Sequence, residues 1–290
     1  MTFAAWRLTD GSPFFVGISF CLCALLLGAW VRRRWGQAAA NVLASTGILF
    51  VIASSTPLPW WIYLVWCALL LAWLTIPRSG SVAARRARWI VSGLVAVTSV
   101  GMVSAELPYR LGLALRLPGE GTLCVVGDSL SMGADAKGGN WPDLLGARAG
   151  LSVQNLSFGG ARVATALHNA KQIGRSGVFV FVEIGGNDVL AGSAPAEFEQ
   201  GLNDLLGTVC TRGRSVAMFE LPLPPFYNRY AAIQRRLAHA HGVLLIPKRF
   251  LAGVLATPGA TVDGLHLSGT GHKLLSDRLW CLSRPFDAAP

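Results

Sequence analysis

Four uncharged apolar stretches occupy the first third of this chain, at residues 13–31, 39–56, 59–76 and 89–104. A helix crossing about 30 Å of hydrocarbon needs about 20 residues, with a range of roughly 17 to 25, and the first three stretches meet that length. The fourth is shorter and carries Ser92, Gly93, Thr98, Ser99 and Gly101, the composition of a helix that packs on other helices rather than facing lipid. Its apolar run extends through Ala105 and Leu107, so it is counted as a span. Four buried helices of a soluble core are the alternative, and runs this long and this poor in charge argue against it. The first stretch lacks a strongly basic flank and is followed by three more, so it is expected to stay attached rather than be removed as a signal peptide.

Arginine placement orients these spans. Residues 1–104 hold eight Arg (7, 32, 33, 34, 78, 85, 86 and 88) and one acid, Asp10, for a net +7. Arg32-Arg33-Arg34 lies between the first two stretches and Arg78 to Arg88 between the last two, whereas Ser54-Ser55-Thr56-Pro57-Leu58-Pro59 has no charge. Short Arg-rich loops stay in the cytoplasm. The N-terminus, the Pro57 turn and everything after residue 105 therefore belong on the far side, periplasmic or extracellular in a bacterium, in a multi-pass plasma-membrane protein. Trp60, Trp61 and Tyr63, with Trp35 and Trp89 at the opposite ends, suit interfacial aromatic belts. Residues 105–290 hold 17 basic and 14 acidic residues with no basic cluster larger than Arg235-Arg236. That is not the footprint of a nucleic-acid-binding protein, and membrane lipids are the expected partners.

After a tether at residues 105–118 the pattern changes. Short β-rich runs at 122–126, 151–156, 178–184, 215–221 and 242–246 alternate with helical segments near 139–149, 161–173, 195–210, 227–241 and 269–282. Strand and helix in regular alternation predict a parallel sheet with helices on both faces. Val178-Phe179-Val180-Phe181-Val182 is apolar on both sides, as a central parallel strand is. In such sheets a ligand sits beyond the carboxyl ends of the strands.

The polar motifs fall at those ends. Gly127-Asp128-Ser129-Leu130 follows the first strand, Asn155-Leu156-Ser157-Phe158-Gly159-Gly160 the second and Gly185-Gly186-Asn187-Asp188 the third, with Asp263-Gly264-Leu265-His266 before the last helix. A serine hydroxyl needs a neighbouring base to become a nucleophile. His266 is the candidate base, and Asp263 three residues earlier can hold its tautomer. The backbone N–H groups of Ser129 and Gly160 and the side-chain amide of Asn187 are candidate oxyanion donors. Asn187 read alone is equally a turn former. Asp128 and Asp188 are read as buried acceptors that shape two turns rather than as a carboxylate pair for glycoside cleavage. Leu221-Pro222-Leu223-Pro224-Pro225-Phe226 is either an apolar wall for an acyl group or a rigid connector.

These four pieces resemble the blocks of the SGNH hydrolases, the GDSL-type esterase and lipase superfamily, over about residues 119–283. Gly127-Asp128-Ser129-Leu130-Ser131-Met132-Gly133, followed by Trp141-Pro142-Asp143-Leu144-Leu145, is similar to the opening of the periplasmic acyl thioesterase, arylesterase and lysophospholipase group. The resemblance implies a flavodoxin-like three-layer α/β/α sandwich. It also implies hydrolysis of carboxylic esters or thioesters without metal or cofactor, with Ser129, Gly160, Asn187 and His266 in family order and Asp263 in its expected place. Leu267 stands where many relatives have proline, and the four-span region has no counterpart in the soluble members.

The expected organisation is a transmembrane region at 1–104, the tether and a hydrolase domain at 119–290. Its expected substrate is an acyl ester of a lipid or an O-acetylated envelope glycan. Transfer of an acyl group to an envelope polysaccharide is a second reading, and a non-catalytic assembly protein with a ligand-binding outer domain a third. Cys210 and Cys281 are the one pair that can bridge in an oxidising compartment, and no Cys and His spacing resembles a zinc site.

Overall fold

The computed structural model describes residues 6, 8–31, 33–77, 81–111, 114–133, 138–174, 177–211 and 213–283. Arg7, Arg32 and Arg78, and the last seven residues of the hydrolase region, lie outside them. The chain divides into two compact units. One comprises residues 11–111 with 224–228, and the other residues 1–10, 112–223 and 229–290. The second boundary differs from the sequence expectation, because the residues ahead of the first apolar helix group with the sheet.

The apolar unit is built on α1 (Ser12–Trp30), α2 (Arg34–Ala53), α3 (Trp60–Thr75) and α4 (Val82–Glu106). Helices α1, α2 and α4 are long and apolar enough to cross a membrane, while α3 has 16 residues. The sequence reading had the lengths of the last two reversed. Helix α4 runs to 25 residues because Arg85, Arg86 and Arg88 continue it on the polar side, and α3 is bounded by Pro59 and Pro77. Close approach of α1 and α2 rests on small residues: a side chain on Gly17 would come within 2.6 Å of the Gly47 carbonyl. The serines of α4 serve as anticipated, accepting indole N–H bonds from α3, Trp66 to Ser99 at 2.8 Å and Trp73 to Ser92 at 3.0 Å. Gly93 and Gly101 meet nothing. Large apolar side chains such as Leu26, Leu49, Val65 and Val97 remain exposed on the outside of these helices, as lipid-facing residues would be.

The other unit holds five strands, β1 (Thr122–Gly127), β2 (Ser152–Asn155), β3 (Val178–Glu183), β4 (Arg214–Phe219) and β5 (Leu244–Ile246), in the order β2-β1-β3-β4-β5. Every pairing is parallel. Helices α6 (Trp141–Ala149), α7 (Val163–Ala170), α9 (Pro195–Val209), α10 (Asn228–Ala240) and α12 (Gly269–Ser283) match the predicted segments within a few residues. A short helix, α5 (Ser129–Met132), follows the first strand as the Gly127–Leu130 turn implies, and two more were not anticipated: α8 (Gly186–Leu190) and α11 (Arg249–Leu255). The sheet is covered on both faces by separate apolar clusters, one containing Val180, Val182, Phe198 and Leu206, the other Phe179, Phe181, Trp141 and Leu275. Successive residues of β3 point to opposite clusters, which is why that strand reads as continuously apolar. Leu221 and Leu223 of the proline-rich stretch enter the first cluster, whereas Phe226 is 80% exposed with φ 73. Cys210 and Cys281 are free thiols.

Candidate active site

The turn that presents Ser129 is forced by its neighbours. A Cβ on Gly127 would lie 2.8 Å from Ser131 Oγ and 2.9 Å from the Glu183 carbonyl, so only glycine lets the end of β1 pass this close to β3. The chain then turns through Asp128, in extended geometry, whose Oδ1 caps the Leu130 N–H at 2.9 Å. Ser129 is therefore the first residue of α5, where an N–H has no intrahelical acceptor. Gly160, beyond β2, has φ 74 and open space on its Cβ side. Among the described residues the N–H groups of Ser129 and Gly160 meet no acceptor.

The Asp263–His266 loop is a closed arc ahead of α12. An antiparallel bridge joins Thr261 to Leu267, and the Val262 N–H donates to the His266 carbonyl at 2.9 Å. Asp263 Oδ1 accepts the backbone N–H groups of Leu265 (2.9 Å) and His266 (2.7 Å), and its Oδ2 lies 2.6 Å from His266 Nδ1. The hydrogen bond from the His266 ring, then those from the backbone, hold the Asp263 carboxyl well below the ordinary carboxylate range. Both side chains are about half exposed. His266 lies close enough to Asp128 to bias its ionisation, which brings the loop to the Ser129 edge of the sheet. Ser129 Oγ and His266 are not hydrogen-bonded to each other; such contacts commonly tighten only with substrate in place.

Asn187, on α8, links three of the predicted pieces. Its Nδ2 donates to Asp128 Oδ2 at 3.1 Å and to the Ala161 carbonyl at 3.0 Å. Both amide hydrogens thus have acceptors, and an oxyanion at this amide would have to share one. Asp188 accepts the Val163 N–H at 3.1 Å, tying α8 to the start of α7; burial raises its carboxyl, against the lowering effect of that hydrogen bond.

The family model for GDSL-like lipases and acylhydrolases matches residues 125–274, more than half of the chain and all four pieces of this site. The chain belongs to that family. It is 30% identical over 184 residues to esterase TesA of Pseudomonas aeruginosa, covering 57% of this chain and 88% of that protein. It is also 29% identical over 175 residues to thioesterase 1/protease 1/lysophospholipase L1 of Escherichia coli K12, covering 57% and 84%. The crystal structure of TesA aligns with 57% of this chain and 98% of its own at a TM-score of 0.47 and 29% identity. Membership makes the chain an ester hydrolase on the α/β/α sandwich of the SGNH enzymes.

Beneath the GDSL turn lies a buried polar chain that the sequence reading passed over. Glu183, the last residue of β3, is fully buried; its Oε2 accepts the Ser131 hydroxyl at 2.9 Å and the Asp128 N–H at 3.4 Å. Ser131 Oγ in turn accepts the Trp141 indole N–H at 3.2 Å, and the Trp141 backbone N–H donates to His272 Nδ1 at 3.2 Å. His272 is buried, and desolvation lowers its pKa, so it sits neutral as an acceptor. Asn155 Nδ2 clamps the Ser131 carbonyl at 2.8 Å. Burial pushes the Asp128 carboxyl up to about 6, and burial followed by the charge of Asp128 pushes Glu183 well above its ordinary value. Like carboxyls this close retain one proton between them. The signal for Glu183 was in plain view: it is the lone acid closing an otherwise apolar run.

Proposed function

We propose that this chain is a membrane-anchored serine esterase in which Ser129 attacks the acyl carbonyl of a carboxylic ester or thioester. The observation that carries the reading is the Asp263 Oδ2 to His266 Nδ1 contact of 2.6 Å on a loop at the Ser129 edge. A proton fixed on Nδ1 by the carboxylate leaves Nε2 as the acceptor. Ser129 Oγ passes its proton to Nε2 as the C–O bond forms, and the imidazolium then hands that proton to the departing alkoxide or thiolate. Water, deprotonated by the same Nε2, releases the acid and restores Ser129. The unengaged N–H groups of Ser129 and Gly160 stand as oxyanion donors, and Asn187 joins them by sharing an amide hydrogen. Asp128 and Asp188 set the positions of these donors without touching substrate.

The substrate class proposed is acyl or acetyl esters of the cell envelope, lysophospholipid-like lipids and O-acetylated glycans among them, in keeping with the thioester and lysophospholipid activities named for the Escherichia coli relative. The anchor proposed has four spans with the hydrolase unit on the side away from the arginine-rich loops. Trp6 is bonded to Gly264 within the sheet-containing unit. The chain between Gly11 and Leu111 must then return to the side it left, an even number of crossings that supports counting α3 despite its 16 residues.

Ser129→Ala and His266→Ala are expected to abolish hydrolysis of a short p-nitrophenyl ester, a loss of at least about 10³-fold, while circular dichroism stays unchanged. Full turnover by the Ser129 variant sinks the mechanism. With a glycan acceptor present, free acid as the product supports hydrolysis and an acylated sugar points to transfer.

A further inference from the structure

One side chain reaches the Asp263–His266 loop from the opposite end of the sequence. The indole Nε1–H of Trp6 donates to the Gly264 carbonyl at 2.9 Å, across 258 positions. Trp6 is 5% exposed and belongs to the cluster that contains Leu115, Leu251, Leu255 and Leu267. Thr9, buried beside it, donates its hydroxyl to the Trp6 carbonyl at 2.9 Å and closes the turn that sets the ring. The remaining hydrogen bonds of residues 262–267 are made within the loop or its bridging base. They fix the shape of the arc but not its place on the domain. Among the described residues the Trp6 bond is the one that reaches this arc from elsewhere in the chain.

We propose that Trp6 is a positioning residue for the catalytic base: the segment ahead of the first apolar helix is a working part of the hydrolase domain, and its indole holds the Asp263–His266 arc against the domain. The inference rests on the serine-esterase reading above, since it gives His266 the role of base. Trp6 touches neither substrate nor the reacting atoms. It acts through the Gly264 peptide, one residue from Asp263 and two from His266. Displacing a base by about 1 Å costs on the order of 100-fold in rate, whereas the bond itself, at about 1 kcal/mol, corresponds to roughly 5-fold. The family match over residues 125–274 does not include Trp6.

The test uses the full chain in detergent, with Trp6→Phe and Trp6→Ala beside wild type. Each is followed by turnover of a short p-nitrophenyl ester and by the rate and final extent of Ser129 labelling by a fluorophosphonate. Trp6→Phe keeps most of the ring and removes the donor, and it is expected to lower kcat by about 3- to 10-fold. Trp6→Ala removes both, with an expected fall of about 10- to 100-fold. KM is expected to stay within about 2-fold in each, because the segment does not contact substrate. The fraction of Ser129 that the fluorophosphonate labels at completion should stay at the wild-type value while the labelling rate falls with kcat; a purely structural role reduces the labelled fraction and leaves the rate per folded molecule in place. If Trp6→Ala does not fold, Trp6→Phe decides. Wild-type kcat and labelling rate in a folded Trp6→Phe overturn this inference alone, and wild-type protein that resists labelling overturns the serine reading and the inference with it.

Discussion

Two glutamates close adjacent strands of the same sheet, both fully buried, and they have been given opposite surroundings. Glu220, directly after β4, has its Oε1 2.6 Å from Arg235 Nε and its Oε2 3.2 Å from the Lys248 backbone N–H. Glu183, at the end of β3, has among the described residues no cation in salt-bridge reach; its neighbours are Ser131, the Asp128 N–H and the Asp128 carboxyl. The first arrangement keeps an ion in place and the second keeps a proton. The guanidinium-paired carboxylate ties the end of β4 to α10. The protonated carboxyl lies under the Ser129 turn, where a full charge would repel Asp128 and disturb the acceptor that holds Asn187.

Four measurements put that contrast at risk, beginning with the largest effect. Arg235→Met strands the Glu220 charge, and denaturant unfolding of the sheet-containing unit should show a loss of about 3–5 kcal/mol; a loss below about 1 kcal/mol would mean that the pair does not act as a buried ion pair. Glu183→Ala removes a buried side chain and leaves Ser131 and the Asp128 N–H without their acceptor, with an expected cost of about 2–4 kcal/mol. The third measurement is the pH dependence of stability between pH 5 and 8. The folded value for Asp128, about 6, lies above the ordinary carboxylate value of about 3.9, so the folded state binds more protons between the two. Stability from this group is complete below about 3.9 and is lost as pH rises through 6, with a limiting slope of about 1.4 kcal/mol per pH unit for one proton. Asp263, held low by His266, has the opposite sign: its contribution is present above about 3.9 and disappears as pH falls further, outside this window. The smallest change is expected from Glu183→Gln, a neutral isostere of the protonated acid, at under about 1 kcal/mol and with a shallower slope over the same pH range, while Glu220→Gln should cost several-fold more by removing the anion that faces the buried Arg235 guanidinium. Equal costs for the two glutamine variants would erase the distinction between the acids.

Much of this was legible in the sequence because it is written in local pattern. The β3 run announces a central parallel strand, Gly127 and Ser129 announce a tight turn into a helix, and Asp263 with His266 are close enough in sequence to find each other in one loop. The fold class and the order of the pieces follow from such features. What was not legible depends on register or on distance. Whether Glu183 meets Ser131 and Asp128 is decided by the parallel pairing that sets Gly127 opposite Glu183. Asn187 was assigned a free amide because a motif does not show that Asp128 and the Ala161 carbonyl flank it. Helices α3 and α4 were misjudged in length because hydropathy ends at Trp89 while the hydrogen-bond ladder continues back through three arginines to Val82. Trp6 carried no signal, since its partner lies at the other end of the chain.

The long span of the Trp6 bond gives it a meaning in time as well as in geometry. A ribosome adding about 5–20 residues per second delivers the Gly264 carbonyl on the order of 10–50 s after the indole that binds it, 258 positions earlier. Through that interval an apolar ring waits without a core to enter, and the Asp263–His266 loop cannot take its tethered position until the chain on both sides of the apolar helices has been made. A domain that draws on residues from both sides of the apolar helices is completed only after those helices have been made.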